Sequence, residues 1–528
     1  MEQIEFNLVE EPWIRVLKKD GTVQEVSLTD ALLHAHEFQD LAGELPTQDV
    51  AVLRLLLAVL QTVFYRMDEE GREMPLQSSE EALSRWKILW DMGSFPEKPI
   101  RMYLNEWKER FWLFHPERPF YQISQAKVGT EYGAAKLNGE ISESGNKVRL
   151  FASYSQNKKA TMTYAQAARW LLYINGFDDT SAKPKGKGLP SVGAGWLGKL
   201  GILFAQGANL AETLLLNLTL LKNGGTLWEP PLPCWELEQP RCEERTQIAW
   251  PNNAAELLTL QSRRLLLKRE NHFVVGYSLL GGDFFDKENA FCEPMTIWRA
   301  VQEKKNSPAV HQPRRHDPSK QFWREFPAAF PEDDVTHVPG IVEWITTLQG
   351  EKWLERQRMI HFKRVGVAYG DKDFFVSDTF CDTLTFQIQL LNEMGRPCRK
   401  KVISEIQNCE KLAEQIGKLA KGLALAAGNE GVGSVRDAKE QFYFEIDQPF
   451  RQWLYQLDPE KNVDAAVQVW REQAKKIACR LGRTMVEEAG TPALVGRSIT
   501  VKGTEQKLYY SAPKAYQWFL YEINRIYQ

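Results

Sequence analysis

The chain lacks the cysteine and histidine patterns that mark disulfide-rich and zinc-binding proteins. Its 528 residues include seven cysteines, widely spaced and without a CxxC pair, and eight scattered histidines. An odd cysteine count at such spacing argues against a disulfide framework and a four-cysteine zinc site, and is typical of a reducing compartment. We therefore expect a cytoplasmic protein that holds no metal and no cofactor.

Long hydrophobic runs are also missing. The acidic start, Met1–Glu5, is followed by no apolar run of the kind that a secretory signal contains. The longest apolar stretch, Leu55–Tyr65, is interrupted by Gln61 and Thr62 and is far shorter than the ~20 residues of a membrane-spanning helix. We expect no membrane partner.

No catalytic constellation is visible either. The G-x-S-x-G nucleophile motif is absent. Gly281–Asp283 offers one carboxylate where two-metal chemistry needs several, and His311 and His316–Asp317 lack further ligands at a metal-binding spacing. Without a fixed-period repeat or a regular strand–helix alternation, solenoids, propellers and doubly wound sheets are not expected. The sequence thus indicates a protein that is not an enzyme.

Apolar periodicity predicts an irregular first part of the chain. A β-hairpin is expected around the turn Asp20–Gly21, and helices are expected over Thr47–Arg66, Ser79–Met92 and Tyr164–Ile174. Between them lie loops rich in proline and glycine. This pattern favours a large mixed α/β domain over residues 1–376.

The last part of the chain carries four apolar stripes of helical spacing. They run over Phe380–Leu391, Ile406–Leu423, Val467–Met485 and Tyr516–Ile523. Four consecutive amphipathic helices predict an up-and-down bundle. We therefore expect an α+β protein whose residues 377–528 form an all-α four-helix bundle.

One region of the chain is strongly basic, although the net charge of the whole chain is slightly negative. The net charge is −3 and the pI is near 6.3, which gives no indication of a nucleic-acid partner. Between Ser144 and Ala211, however, nine basic residues stand against two acids, a local net charge of +7 in 68 residues that also hold nine glycines. Glycine lets a backbone approach a phosphate closely while lysine neutralises it. The plainer alternative is a solvated loop.

Two nucleotide motifs are partly matched inside this stretch. Gly193–Gly198 fits G-x-G-x-x-G, and Gly193–Lys199 resembles a P-loop. Leu200 stands where a P-loop needs a Mg²⁺-binding hydroxyl, and no strand-like run precedes Gly193. A nucleotide-binding enzyme built on Gly193–Lys199 is the alternative function, and a helical scaffold with an incidental basic loop is the third.

A hairpin is predicted further along the chain. Tyr369–Asp373 separates the β-prone runs Met359–Ala368 and Phe374–Val376, and the upstream run is basic. The hairpin is either an ordinary surface turn or a tip that touches a nucleic acid.

Five segments carry a resemblance to a known family. They are Phe6–Val16, Glu44–Leu57, Arg118–Gln122, Phe204–Leu221 and the helical tail. Together they resemble the large subunit of the type I-E CRISPR Cascade complex, the CasA family, over essentially the whole chain. The opening segment is the most specific of them, whereas the helical tail is generic.

The resemblance implies a non-catalytic subunit of an RNA-guided antiviral surveillance complex. Such a subunit recognises the PAM in double-stranded DNA, helps open the duplex for R-loop formation and recruits a nuclease-helicase. The implied partners are duplex DNA bearing the PAM and protospacer, the crRNA 5′ end, the other Cascade subunits and the nuclease-helicase.

The resemblance also implies site residues. The DNA- and PAM-binding set is Lys183, Lys185, Gly186, Lys187, Gly188, Lys199 and Lys287. The wedge hairpin is Gly370, Asp371, Lys372 and Asp373, and family members carry a glutamine where this chain offers Lys372 or Asp373. The loop for the crRNA end and complex docking holds Lys147, Arg149 and Phe151. Some members hold zinc on four cysteines, which this chain lacks, so no zinc is expected.

Overall fold

The chain divides into two compact units. The structure is a computed structural model that describes residues 4–143, 154, 157–180, 193–223, 225–243, 245–248, 251, 253–285, 292–302, 310–332, 337–500 and 507–527. Unit 1 comprises Met1–Glu355 and Ile360–Thr383, and unit 2 comprises Arg356–Met359 and Leu384–Gln528. Unit 1 mixes helices and strands and unit 2 is mostly helical, so the predicted α+β class is confirmed. The functional division at residues 376 and 377 stays a prediction.

Short helices and small sheets build unit 1. Its helices are α1 (Leu28–Leu33), α2 (Pro46–Arg66), α3 (Ser79–Met92), α4 (Glu97–Trp107), α5 (Ala134–Leu137), α6 (Asn157–Ala160), α7 (Tyr164–Phe177), α8 (Leu210–Asn217), α9 (Ala254–Leu258), α10 (Phe326–Ala329) and α11 (Gly340–Gly350). Its strands are β1 (Glu5–Asn7), β2 (Ile14–Lys18), β3 (Val23–Val26), β4 (Phe38–Leu41), β5 (Trp112–Phe114), β6 (Thr130–Gly133), β7 (Ile202–Gln206), β8 (Arg245–Ile248), β9 (Arg263–Glu270), β10 (Phe273–Gly281), β11 (Asp283–Phe285), β12 (Trp298–Val301), β13 (Val310–Pro313), β14 (Met359–Tyr369) and β15 (Val376–Gln387), of which β14 and β15 each extend into unit 2.

These strands form several separate sheets. The orders are β3-β2-β4, β6-β10-β9 and β15-β14-β7 in the three-stranded sheets, and β1-β5, β11-β8 and β12-β13 in the two-stranded ones. The predicted hairpin is confirmed, because Ile14 of β2 lies opposite Val26 of β3. Strands β8 and β11 pair in parallel, whereas β1 with β5, β10 with β6 and β9, β12 with β13, β14 with β7, and β2 with β3 and β4 pair antiparallel.

Helix α2 lies in the core of unit 1. Pro46 occupies its first turn, where a missing N–H costs nothing, and nearly all of its other side chains are buried. It packs against α7 and α9. Among the described helices it alone is long and apolar enough to cross a membrane, but 94% of its apolar window is buried inside the protein.

One arginine from the basic stretch serves the core. Arg169 on α7 is 2% exposed and donates to Glu44 Oε1 at 2.5 Å, Glu44 Oε2 at 3.0 Å and the Trp13 carbonyl at 2.6 Å. It thereby joins the N-terminal hairpin, the residue two before α2, and α7. Arg169 is therefore a structural cation, although it was counted with the charges available to a nucleic acid.

Four long helices dominate unit 2. They are α12 (Arg396–Ala427), α13 (Val432–Gln456), α14 (Val463–Glu488) and α16 (Ala512–Ile526), with the short helix α15 (Gly490–Val495) and the hairpin of β16 (Arg497–Thr500) and β17 (Lys507–Tyr510) between the last two. Helix α12 packs against each of the other three long helices. It ends at Gly428, whose φ of 98° is the left-handed conformation that glycine adopts without strain. The predicted four-helix bundle is confirmed.

The identity of one bundle helix was predicted wrongly. Phe380–Leu391 is not a helix, because Val376–Gln387 forms strand β15 and Ile388–Leu391 a 3₁₀ turn. Apolar residues spaced by four also fall on one face of a strand, whose period is two. The missing fourth helix is α13, which carries Pro449 inside it and buries Phe442, Ile446, Phe450, Trp453 and Leu454.

Candidate nucleic-acid interface

Most of the predicted contact residues lie outside the described part of the chain. They are Lys147, Arg149, Phe151, Lys183, Lys185, Gly186, Lys187, Gly188 and Lys287. The structure does describe Lys199, the hairpin residues Gly370–Asp373, and the residues that flank the segment 181–192, which contains five of the predicted lysines and glycines.

Arg263 on β9 binds residues that flank the segment 181–192 on both sides. Its Nη2 donates to the carbonyl oxygens of Asp178 at 3.3 Å, Asp179 at 3.1 Å and Gly193 at 2.7 Å. Its Nε donates to Asp178 Oδ2 at 2.6 Å, and both side chains are 1% exposed. One buried guanidinium thus fixes where the segment leaves the core and where it returns.

The two acids of the basic stretch are neutralised inside the protein. Asp178 pairs with Arg263, and Asp179 Oδ2 lies 2.6 Å from Nζ of Lys136, which is also buried. Buried carboxylates with such partners are compensated locally and project little field. The lysines that follow are therefore not offset by these acids.

The turn between β14 and β15 is tight and carries two residues in the left-handed region. Gly370 N–H donates to the Phe375 carbonyl at 2.8 Å, which closes the turn. Lys372 has a φ of 54° and Asp373 a φ of 57°. Residues other than glycine are uncommon in this conformation, and the surrounding contacts must hold them there.

Thr180 supplies part of that support. Its N–H donates to the Asp373 carbonyl at 2.9 Å, and its Oγ1 donates to the Lys372 carbonyl at 3.0 Å. Thr180 is also the last described residue before the segment 181–192. The residue that precedes the lysine-rich segment 181–192 is therefore bonded to the tip of the hairpin, although the two are far apart in sequence.

Arg315 anchors the carboxylate at the tip. Its Nη1 and Nη2 lie 2.7 and 2.8 Å from the two oxygens of Asp373, and its Nε donates to the Gly198 carbonyl at 2.6 Å. The guanidinium also lies over the Tyr369 ring. Burial disfavours the charge, but the Asp373 carboxylate holds the pKa of Arg315 above its usual value. Asp373 is thus held against the protein, which removes it as the outward group of the hairpin.

The outward groups of the hairpin are Asp371, Lys372 and two aromatic rings. Asp371 and Lys372 are exposed, and Phe374 and Phe375 are 48% and 40% exposed. The Phe375 ring lies where a Cβ on Gly370 would be, at 2.2 Å, so glycine is required beneath it. Sequence reasoning treated Phe374 as part of a β-prone run and missed it; two adjacent phenylalanines directly after a turn were the available signal.

The glycines of Gly193–Lys199 serve close packing. A Cβ on Gly195 would lie 2.4 Å from the Gly176 carbonyl oxygen, and one on Gly198 would lie 2.0 Å from the Tyr369 hydroxyl. After the 3₁₀ turn at Leu197–Lys199 the chain enters strand β7, whereas both nucleotide motifs need a helix whose N-terminus faces the phosphates. The nucleotide-binding alternative therefore lacks its structural context. Lys199 is half-buried in that turn.

The minor metal candidates are structural side chains. His316 is buried between Glu325 Oε2 at 2.7 Å and the Ile202 carbonyl at 2.9 Å, and Asp283 accepts from Arg245 and Arg264. Glu325, which also binds Arg314 and Arg364, has its pKa lowered to about 2 by these partners despite burial. In the described residues no group of three or more His, Cys, Asp and Glu side chains is arranged to hold a metal.

Solved structures of other proteins share this architecture. It matches Cse1 of Thermobifida fusca with a TM-score of 0.84 and 28% identity, over 99% of this chain and 98% of that one. A chain of a CRISPR RNA-guided surveillance complex matches with a TM-score of 0.69 and 17% identity, over 92% of this chain and 99% of that one. The fold is therefore that of the CRISPR-associated proteins called Cse1 or CasA.

Sequence comparison agrees with the fold. A CasA/Cse1 protein of Thermus thermophilus is 34% identical over 354 residues, which cover 66% of this chain and 64% of the relative. The family described as CRISPR-associated protein Cse1 matches residues 7–481. The chain belongs to the Cse1 family, as the opening motif predicted.

Proposed function

We propose that this chain is the non-catalytic large subunit of an RNA-guided surveillance complex and that it recognises the PAM in duplex DNA. It then helps to open the duplex and recruits a nuclease-helicase. Membership of the Cse1 family and the likeness to a chain of a surveillance complex support this assignment. The other subunits, the crRNA 5′ end and duplex DNA are its partners, with base pairing supplying sequence recognition beyond the PAM.

The observation that carries the proposal is the bond between Thr180 and the hairpin tip. The segment 181–192 supplies lysines for phosphates and glycines for close approach to a groove, and the hairpin supplies the group that enters the duplex. Two backbone carbonyls of the tip accept hydrogen bonds from Thr180. PAM binding and strand separation would therefore take place at neighbouring points on one rigid support.

The hairpin acts as the wedge through Phe374 and Lys372. Apolar side chains inserted between base steps unstack them, and an adjacent cation attracts the phosphates. Asp373 does not enter the duplex, since Arg315 holds its carboxylate and neutralises it. Pairing with Arg315 also keeps this carboxylate from repelling the DNA backbone.

A duplex-binding titration of the assembled complex tests PAM recognition. Replacing Lys185 and Lys187 by Ala should weaken binding to every duplex and reduce its salt dependence, because two phosphate contacts are lost. Gly186→Val should weaken binding to PAM-bearing duplex specifically, because a side chain blocks close backbone approach.

The matched control replaces Lys418 and Lys421, two exposed lysines of α12 in unit 2, by Ala. It removes the same charge and should leave binding unchanged. Equal losses for both double variants would show a nonspecific charge effect and would remove the basis for assigning the segment 181–192 to DNA.

A further inference from the structure

A small pocket in unit 1 is lined by three arginines, and within the described residues two of them, Arg110 and Arg118, have no acidic partner. Arg110 follows α4 in a 3₁₀ turn, Arg118 follows β5, and Arg241 lies in the loop before β8. Their side chains reach one cavity of about 50 Å³ from three separate chain segments. That volume accommodates a few water molecules or one tetrahedral oxyanion. We call this site the arginine pocket.

The charges around the arginine pocket do not balance. Within the described residues the side chains of Arg110 and Arg118 form no ion pair and no hydrogen bond, although both are half-buried. Burial, and then the charge of Arg118, lower the pKa of Arg110. Two guanidiniums that repel each other in one half-buried cavity lack the anion that would stabilise them.

The acids near the pocket are already engaged. Asp283 accepts from Arg264 at 2.6 Å and from Arg245 at 2.7 Å, and Glu256 lies 3.0 Å from Arg241 and 3.1 Å from Arg245. The network therefore holds five arginines and two carboxylates. The Cys234 thiol in the wall is neutral, because burial raises its pKa to about 12. A surplus of positive charge remains, and it faces the cavity.

The backbone at the pocket is strained. Tyr121, which is buried in the wall, has a φ of 56°. A bulky residue in the left-handed region is a genuine outlier, and such outliers cluster at ligand sites. The backbone strain at Tyr121 and the surplus of positive charge are independent observations, and both occur at the arginine pocket.

We propose that the arginine pocket binds a phosphate group. Planar guanidiniums bind phosphate oxygens through paired hydrogen bonds, and three of them from different directions match a tetrahedral group better than a flat carboxylate. The phosphate is either the free ion or part of a nucleic-acid strand. This site is separate from the hairpin and does not depend on the function proposed above.

Titration calorimetry with inorganic phosphate at constant ionic strength tests the proposal on the full chain. We expect saturable binding. Arg118→Ala should weaken it about tenfold, which is ~1.4 kcal/mol, and Arg110→Ala with Arg118→Ala should weaken it further, because charge-assisted hydrogen bonds to the phosphate are lost. Arg101→Ala, on exposed α4 surface where Arg101 pairs with Glu97, is the control and should not change binding. Absence of saturable binding, or unchanged binding in the double variant, would overturn the proposal.

Two further arms identify the source and guard against misfolding. Oligonucleotides with a 5′-phosphate and a 5′-hydroxyl are titrated in parallel with inorganic phosphate. Tighter binding of the 5′-phosphate oligonucleotide would identify the ligand as the end of a strand. Equal binding of the two oligonucleotides, lost in the double alanine variant, would identify it as a backbone phosphate. Binding of inorganic phosphate but of neither oligonucleotide would identify it as the free ion. If the alanine variants unfold, Arg110→Lys with Arg118→Lys keeps the charge, and it should bind phosphate more weakly than wild type because the forked donors are gone. Wild-type affinity in this lysine variant would contradict the proposal.

Discussion

The two units of the chain are stabilised by different means. Unit 1 has small sheets and short helices joined by buried ion pairs, such as Arg54 with Glu293 and Arg263 with Asp178. Unit 2 has long helices with apolar stripes, and most of its ion pairs lie at the surface. Irregular backbone has many groups that secondary structure does not satisfy, and buried arginines satisfy them. Unit 1 therefore depends on individual polar residues, whereas unit 2 depends on helix packing.

The largest effect expected is from removing Arg263. Arg263→Ala leaves Asp178 charged and buried, and it frees the carbonyls of Asp178, Asp179 and Gly193. We expect a loss of about 3–5 kcal/mol in the free energy of unfolding, measured by denaturant titration. Arg480→Ala in unit 2 breaks an exposed pair with Glu445 and should cost less than about 1 kcal/mol. Similar losses for the two variants would remove the distinction between the units.

Asp49, near the start of α2, gives unit 1 a pH dependence. Burial raises its pKa to about 7, helped by Asp40 and Glu44 and opposed by the Gly43 N–H and by Lys363. The folded state thus keeps a proton that the unfolded chain releases near pH 4. The contribution of Asp49 to the free energy of unfolding therefore falls as pH rises toward 7. Asp49→Asn should raise the unfolding temperature at pH 8 by about 2–4 °C and leave it unchanged at pH 4. A shift that is equal at both pH values would contradict the protonated carboxyl.

Glycine replacements test close packing in unit 2. A Cβ on Gly482 of α14 would lie 2.5 Å from the buried Phe519 ring of α16, so Gly482→Ala should destabilise by about 1–2 kcal/mol. Gly433 of α13 has open space at the same point, and Gly433→Ala should stabilise by about 0.5 kcal/mol. Thermal unfolding of both variants provides the measurement, and stabilisation by Gly482→Ala would show that the helices separate easily.

The smallest effect expected concerns the hairpin anchor. Arg315→Ala releases Asp373 and Gly198 but leaves the Thr180 bonds, so the tip becomes more mobile without unfolding. Affinity of the assembled complex for PAM-bearing duplex should fall about twofold to fivefold, as for loss of one part-exposed ion pair. The control is Arg436→Ala in α13, which removes an exposed cation next to Asp437 and should leave the affinity for the duplex unchanged. A loss as large as that from the double replacement of Lys185 and Lys187 would indicate that Arg315 itself contacts DNA.

The periodic elements were predictable from sequence. Ser79–Met92 was predicted with the bounds it has, and α2 differs from its prediction by one residue, because apolar spacing and a proline or serine at the start define both. Strand β15 was taken for a helix because a spacing of four suits both structures. Helix α13 was missed because its stripe is sparse and Pro449 interrupts it. The family motifs predicted the membership of the Cse1 family, which apolar periodicity alone could not indicate.

The candidate site was predictable only in part. The turn residues and the local charge count predicted the hairpin and the lysine-rich segment, and the family resemblance assigned their roles. Their adjacency, however, rests on hydrogen bonds from Thr180 to residues 372 and 373. No local pattern encodes a bond across so long a separation. Likewise, the pairing of Asp373 with Arg315 reverses the role that its position in the turn suggested, and Arg263 shows its function only when the chain is folded.

The proposed wedge action requires the hairpin tip to separate the strands beside the PAM. The direct measurement places 2-aminopurine at the first base pair next to the PAM and follows its fluorescence as the assembled complex binds. Phe374→Ala should slow opening about tenfold, because base–aromatic stacking is worth ~1–3 kcal/mol, and Lys372→Ala should slow it less. The control is Phe444→Ala in α13, where the phenylalanine is 82% exposed. The complex that carries this variant should open DNA at the wild-type rate. DNA opening at the wild-type rate by the double variant, Phe374→Ala with Lys372→Ala, would contradict the wedge role of the hairpin.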